Sequence, residues 1–195
     1  MARPLSEDKP IAVLRAACEV IAEAGLAAPT SQIARRAGVA EGTLFRYFPT
    51  KDELLARLFD FLIEELEREV MTGLSGGEST KTHTQILWNN FIDWGLSHPA
   101  AYATLNQLSV SGKVSAAQQE RAGQMCTHVG DASTWTLMDG LTQEQGSQFT
   151  DALFTAIANT TIGFVTSNPE LATAYKNAGF AVLWRALNTN PANVA

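Results

Sequence analysis

The chain has 195 residues, 46% of them hydrophobic and 17% charged, a balance that excludes a disordered chain and allows one large domain or a small one plus a medium one. No apolar run approaches the roughly 18 residues of a membrane span, and the polar, acidic start MARPLSEDKP lacks a signal-peptide pattern, so cytoplasmic residence is expected. The net charge of −6 argues against a polyanion partner until its distribution is read: residues 1–51 carry +2 and the remainder −8.

Apolar residues recur at helical spacing nearly throughout, with almost no strand signal. A first helix is expected over 9–25, with Pro10 in its first turn, Ile11, Leu14, Cys18 and Ile21 on one face, and Gly25 at its end. Thr30 is read as the cap of a second helix, with Ile33 and Ala37 facing inward. A short third helix covers 41–47 and stops at Pro49. Thr50 to Glu53 form a capping box that opens a long fourth helix carrying Leu54, Leu55, Leu58, Phe59, Leu62, Leu66 and Val70.

The loop GLSGGEST separates this from a fifth helix over about 81–97, which His98-Pro99 breaks before a short sixth helix. Ser115 with Gln118 caps a seventh helix to about 138, and Thr142 with Gln145 caps an eighth to about 165. Asn168-Pro169-Glu170 supplies a cap, a proline and an acid for a ninth helix to about 187. The expected fold is all-α, with a three-helix head over 1–50 and a larger helical domain over 51–195.

The stretch TSQIARRAGVAEGTLFRYFPTK has the spacing of a helix-turn-helix: small Ala34 in the first helix, Gly38 at the turn, Leu44 on the inner face of the second. On a helical wheel Leu44 and Phe48 fall on one side, and Gly42, Thr43, Arg46 and Tyr47 on the other. Arg46 suits phosphate or guanine, Thr43 a phosphate or a thymine methyl, and Tyr47 a phosphate. Glu41 either complements the helix dipole or accepts from cytosine N4. Thr30, Ser31 and Gln32 open the second helix, where hydroxyls and free N–H groups suit a phosphate, and Lys51 would hold another.

The run IARRAGVAEGTLFRYFPTKDELL closely resembles the signature of the TetR/AcrR family of transcriptional repressors over roughly residues 10–55. It departs from the family at Ala40, where a Ser cap is common; losing such a cap costs about 1 kcal/mol. MARPLSEDK, WNNFIDWGLSHPA and FAVLWRAL resemble the multidrug-responsive RamR branch. The resemblance implies a dimer that binds a pseudo-palindromic operator and leaves it when a small molecule enters the C-terminal domain, the fourth helix transmitting the change. Control of multidrug efflux is implied with it. The DNA-binding residues are then Thr30, Ser31, Gln32, Glu41, Gly42, Thr43, Phe45, Arg46, Tyr47 and Lys51.

In the larger domain Trp88, Phe91 and Trp94 crowd the fifth helix, with Phe154 and Phe59 as further aromatics. Each alone reads as ordinary core. Together with Thr84 and Asp151 they suggest an aromatic pocket for amphipathic or cationic molecules. Trp88 and Phe154 are expected as stacking walls, with Phe59, Thr84, Phe91 and Asp151 lining the site; Asp151 either caps or pairs within the fold or orients a ligand cation. Ala152, Ala156, Ala158 and Gly163, then Ala172, Ala174, Ala178 and Ala181, allow close helix approach. With Phe180, Leu183, Trp184 and Leu187 they supply both core and, as the resemblance implies, a four-helix homodimer interface, with no sequence signal dividing the two.

No enzyme is expected. His83, His98 and His128 are scattered, no zinc-binding spacing, P-loop, dinucleotide fingerprint or nucleophile elbow occurs, and neither cofactor nor metal is called for. Cys18 and Cys126 read as reduced, structural thiols, Cys126 having no cationic cluster to activate it. The rival reading, a helical protein-interaction adaptor, leaves the Thr43, Arg46 and Tyr47 face unexplained.

Overall fold

A computed structural model of the chain describes residues 8–127 and 142–187. The His128 and helix-end assignments within 128–141 lie outside these residues, as do the side chains of Cys126 and Leu187. Among the described residues every regular element is a helix. In order they are α1 (Asp8–Ala24), α2 (Thr30–Arg36), α3 (Glu41–Tyr47), α4 (Lys51–Val70), α5 (Thr80–Ser97), α6 (Pro99–Ser109), α7 (Ala116–Thr127), α8 (Gln143–Ser167), a short 3-10 helix (Pro169–Leu171) and α9 (Ala172–Leu187). The all-α expectation holds.

Local chemistry sets most boundaries. Gly25 (φ 78°) ends α1. Ser115 and Gln118 exchange bonds, Ser115 N–H to Gln118 Oε1 at 3.1 Å and Gln118 N–H to Ser115 Oγ at 3.3 Å, which satisfies free donors at the start of α7. Thr142 and Gln145 do the same for α8. Thr50 accepts from Glu53 N–H at 3.1 Å, one half of the expected box at α4. Two expectations change. Thr30 is the first residue of α2 and caps nothing; Pro29 holds the cap position without a side-chain bond. The segment after Asn168 first winds as a 3-10 helix, with α9 starting at Ala172.

The packing falls into two units, Met1–Glu65 with His98–Gln119, and Leu66–Ser97 with Glu120–Ala195. The first is built on α1, whose inner face is Val13, Leu14, Ala16, Ala17, Cys18, Val20 and Ile21. Ile11, expected on that face, is exposed. α6 packs along α1, and the buried Thr104 hydroxyl donates to the Cys18 carbonyl at 2.9 Å. Burial pushes the Cys18 thiol pKa up, against a smaller lowering by Thr104, as expected of a structural cysteine. Gln118 reaches the Ala56 carbonyl at 3.0 Å and Asp60 at 2.9 Å, fastening the start of α7 to α4.

The second unit has its own core of Trp88, Ile92, Phe154, Ala158, Phe180 and Leu183, from α5, α8 and α9. The Asn90 side-chain amide donates to the Val70 and Thr72 carbonyls at 2.9 and 2.8 Å, so a residue of α5 satisfies carbonyls at the end of α4.

Candidate nucleic-acid interface and sensing core

The turn between α2 and α3 is a Schellman motif. Val39 N–H bonds the Ala34 carbonyl at 3.0 Å, and Gly38 N–H bonds the Arg35 carbonyl at 3.2 Å. Gly38 sits at φ 68°, left-handed backbone that an L side chain enters only at a cost of about 1 kcal/mol or more. This closure sets the direction in which α3 leaves α2. Leu44 and Phe48 turn inward and are buried, as the wheel predicts. Glu41, Gly42, Phe45 and Arg46 are exposed, and Thr43 and Tyr47 half-buried. Nothing lies within 4 Å of a Cβ built on Gly42, so the fold itself does not require glycine there. Ala40 occupies the cap position of α3 with no side-chain bond.

Several cationic and polar groups prove to be engaged. Arg36 pairs with Glu19 at 2.8 Å and Glu23 at 2.9 Å, and these carboxylates, Glu23 foremost, push the guanidinium pKa up. Its charge is thereby answered on α1; the i,i+4 spacing of Glu19 and Glu23 was the signal in the sequence. Lys51 donates to the Ala28 carbonyl at 2.7 Å, tying α4 to the α1–α2 loop. The Thr30 hydroxyl donates to Glu41 Oε1 at 2.6 Å, joining the starts of α2 and α3. Among the described residues no ion pair engages Arg35 or Arg46, and Ser31 is exposed beside half-buried Gln32.

Of the six expected ligand-site residues, three come together. Trp88 and Phe154 meet edge to face with centroids 5.6 Å apart, and Phe91 and Phe154 at 4.9 Å. Trp88 is fully buried and its indole N–H donates to the Lys176 carbonyl at 2.9 Å. Lys176 in turn pairs with Asp93. Thr84 is buried in the same unit, its hydroxyl turned back on the Thr80 carbonyl at 2.8 Å. Asp151 is half-buried, and a Cβ on Gly123 of α7 would fall 2.8 Å from its Oδ2. Phe59 is buried in the first unit. Sequence spacing gave no sign of the Lys176 carbonyl partner, because it lies 88 residues from Trp88.

Two short helices closed by a left-handed glycine, the second with Glu41, Gly42, Phe45 and Arg46 exposed, have the geometry of a helix-turn-helix. Residues 13–58 match the model of the family described as bacterial regulatory proteins, tetR family. The matched segment coincides with α1 to α3 and the start of α4, so the likeness to that family is carried by the head. A Bacillus subtilis protein named as an uncharacterized HTH-type transcriptional regulator, YvdT, is 37% identical over 76 residues, 38% of this chain and 39% of that protein. The fatty acid metabolism regulator protein of the same organism is 41% identical over 63 residues, 30% of this chain and 32% of that one. The matches thus span about a third of the curated relatives' length. The fold likeness is wider: a TetR family transcription regulator from Marinobacter aquaeolei VT8 superposes with a TM-score of 0.70 at 19% identity, over 92% of this chain and 95% of that one. No helix among the described residues is long and apolar enough to cross a membrane.

Proposed function

We propose that the chain is a ligand-controlled transcriptional repressor, not an enzyme, acting as a cytoplasmic homodimer on a pseudo-palindromic operator. The carrying observation is the head: a Schellman turn that presents an α3 face of Glu41, Gly42, Phe45 and Arg46 to solvent. Residues 1–50 read DNA, and 51–195 sense and dimerise. Arg46 supplies the charge or guanine contact, Thr43 and Tyr47 border it, and Ser31 and Gln32 approach phosphate from α2. Lys51 holds the α1–α2 loop in register while remaining half-buried beside it.

The inducer site is the aromatic cluster of Trp88, Phe91 and Phe154, with Thr84 and Asp151 in the same unit; Phe59, buried in the other unit, is left out of it. Edge-to-face rings, with a half-buried carboxylate three residues before Phe154 on α8, suit an amphipathic cation. The indole is fully buried, so an inducer must part rings that now touch. Together with WNNFIDWGLSHPA this supports a multidrug-responsive role in efflux control. Support for dimerisation comes from the outward faces of α8 and α9, where Ala156, Gly163, Ala174, Ala178 and Ala181 are exposed together with Phe164 and Val182.

The test is selection of bound sites from random duplex DNA, followed by titration at several salt concentrations and with a lipophilic quaternary ammonium. A repressor of this kind enriches a two-fold-related sequence, binds it with a steep salt slope and releases it with the cation. Failure to retain any duplex at low salt refutes the reading, and unchanged cation affinity in Trp88→Ala refutes the pocket.

A further inference from the structure

The bond between Thr30 and Glu41 is the short tie between two surface residues that α2 and α3 bring together at the proposed reading face. The Thr30 hydroxyl donates its proton to Glu41 Oε1 at 2.6 Å, and both helices begin at these residues. Among the described residues nothing engages Glu41 Oε2, and nothing lies within 4 Å of a Cβ built on the neighbouring Gly42. We propose that Thr30 is a positioning residue that holds Glu41 as a base-reading acceptor, selecting a base with an exocyclic amine in the major groove. The proposal rests on the DNA-reading role of the head.

The argument begins with charge. A carboxylate facing DNA is repelled by phosphates, so it adds no affinity of its own and must be answered by a donor. In the major groove only cytosine N4 and adenine N6 donate; guanine O6 and N7 and thymine O4 are acceptors and oppose a carboxylate. Adenine carries its N7 acceptor beside its amine, which places cytosine first. Discrimination would come as much from rejecting guanine and thymine as from binding cytosine.

Thr30 matters because an untied glutamate side chain samples several rotamers. A tie at Oε1 fixes the side chain and leaves Oε2 as acceptor. The proton that Thr30 gives to Glu41 is then withheld from phosphate, so Thr30 acts through Glu41. The salt dependence of binding separates this role from a phosphate contact, which would flatten the slope when removed.

The experiment selects sites from a random-core duplex pool with the full-length wild type, Thr30→Val, Thr30→Ser, Glu41→Ala and Glu41→Gln. Each selected duplex, and its single-base variants, is then titrated by fluorescence anisotropy at three salt concentrations. The wild type should show one half-site position where replacing the amine-bearing base costs about fivefold to a hundredfold. Thr30→Val, Glu41→Ala and Glu41→Gln should flatten that position to about twofold or less, with the salt slope of Thr30→Val unchanged and the preference kept in Thr30→Ser. The pairing is overturned if Glu41→Ala keeps every preference, or if Thr30→Val weakens all duplexes alike and flattens the slope. A wild type that enriches no duplex defeats the head's reading and this one with it; an enriched site without a Glu41-dependent position defeats only this one.

Discussion

Gly42 and Gly179 illustrate how one missing methyl group means different things at different places. A Cβ on Gly42 would meet nothing, and the residue lies inside the first turn of α3, where alanine is favoured over glycine by about 0.5–1 kcal/mol. Gly42→Ala should therefore leave the urea midpoint unchanged or raise it, while lowering affinity for the selected duplex at least severalfold, because the added methyl stands between backbone and groove. Equal affinity would show that the DNA does not approach there. Gly179 is the opposite case. Its Cβ would lie 2.4 Å from Thr161 Oγ1 and 2.7 Å from Trp88 Cζ2, in a core where neither neighbour is free to move: the indole is fixed by the Lys176 carbonyl and the Thr161 hydroxyl by Ile157. Gly179→Ala should cost about 1–3 kcal/mol in urea unfolding through overpacking. Near-neutral stability would mean that α9 shifts easily on α8.

At the scale of elements, the α4–α5 connection is held by one acid. Glu78 accepts from the Ser75 hydroxyl at 2.5 Å, the Ser75 amide at 2.7 Å and the Gly76 amide at 3.0 Å. These bonds, the Ser75 hydroxyl first, lower its pKa from 4.5 to about 2. A depressed carboxylate contributes order that is present above its unfolded pKa and lost as pH falls through its folded value. Protection of the Ser75 and Gly76 amides against hydrogen exchange should thus decline between about pH 4.5 and 2. Glu78→Gln should show weak protection at every pH. The same scale shows what the sequence could disclose. Capping boxes at Ser115 and Thr142 were legible because their partners sit three residues away, and so was the head, whose Ala34, Gly38 and Leu44 close a local motif. The role of Thr30 was misread because a threonine before a helix and one at its first residue look alike without Pro29's backbone angles. The attachment of α6 to α1 was not legible, since it depends on bonds such as Thr104 to Cys18, 86 residues apart. Nor was the division of α8 and α9 into core and surface, because alanine-rich helices carry little contrast between faces; burial supplies it, with Ala158, Phe180 and Leu183 inside and Ala156, Ala178 and Val182 outside.

At the scale of the molecule, the proposed DNA-reading role makes a single head of such modest charge a weak binder. Residues 1–51 carry a net charge of only +2, and Arg36 is already paired with Glu19 and Glu23. Phosphate neutralisation drives most sequence-independent affinity, so few cations mean a shallow gain per head. Two heads on one operator convert the second contact into an intramolecular event and recover the affinity by effective concentration. The surface proposed for such pairing is the exposed side of α8 and α9, where Phe164 is 52% and Val182 56% exposed. A contiguous exposed apolar patch marks an association surface, and these two side chains are the candidates for burial against a partner. Replacing both, Phe164→Asp with Val182→Asp, places charges where a partner would exclude water, Phe164→Asp also removing the ring contact with Tyr175. The expected outcome is a folded monomer by sedimentation at micromolar concentration, with unchanged helical circular dichroism and operator affinity reduced by at least about a hundredfold. A variant that stays dimeric would place the interface elsewhere. A wild type that is monomeric yet binds its operator tightly would mean that one head suffices, and the accounting of its charge would then have to include contacts beyond α2 and α3.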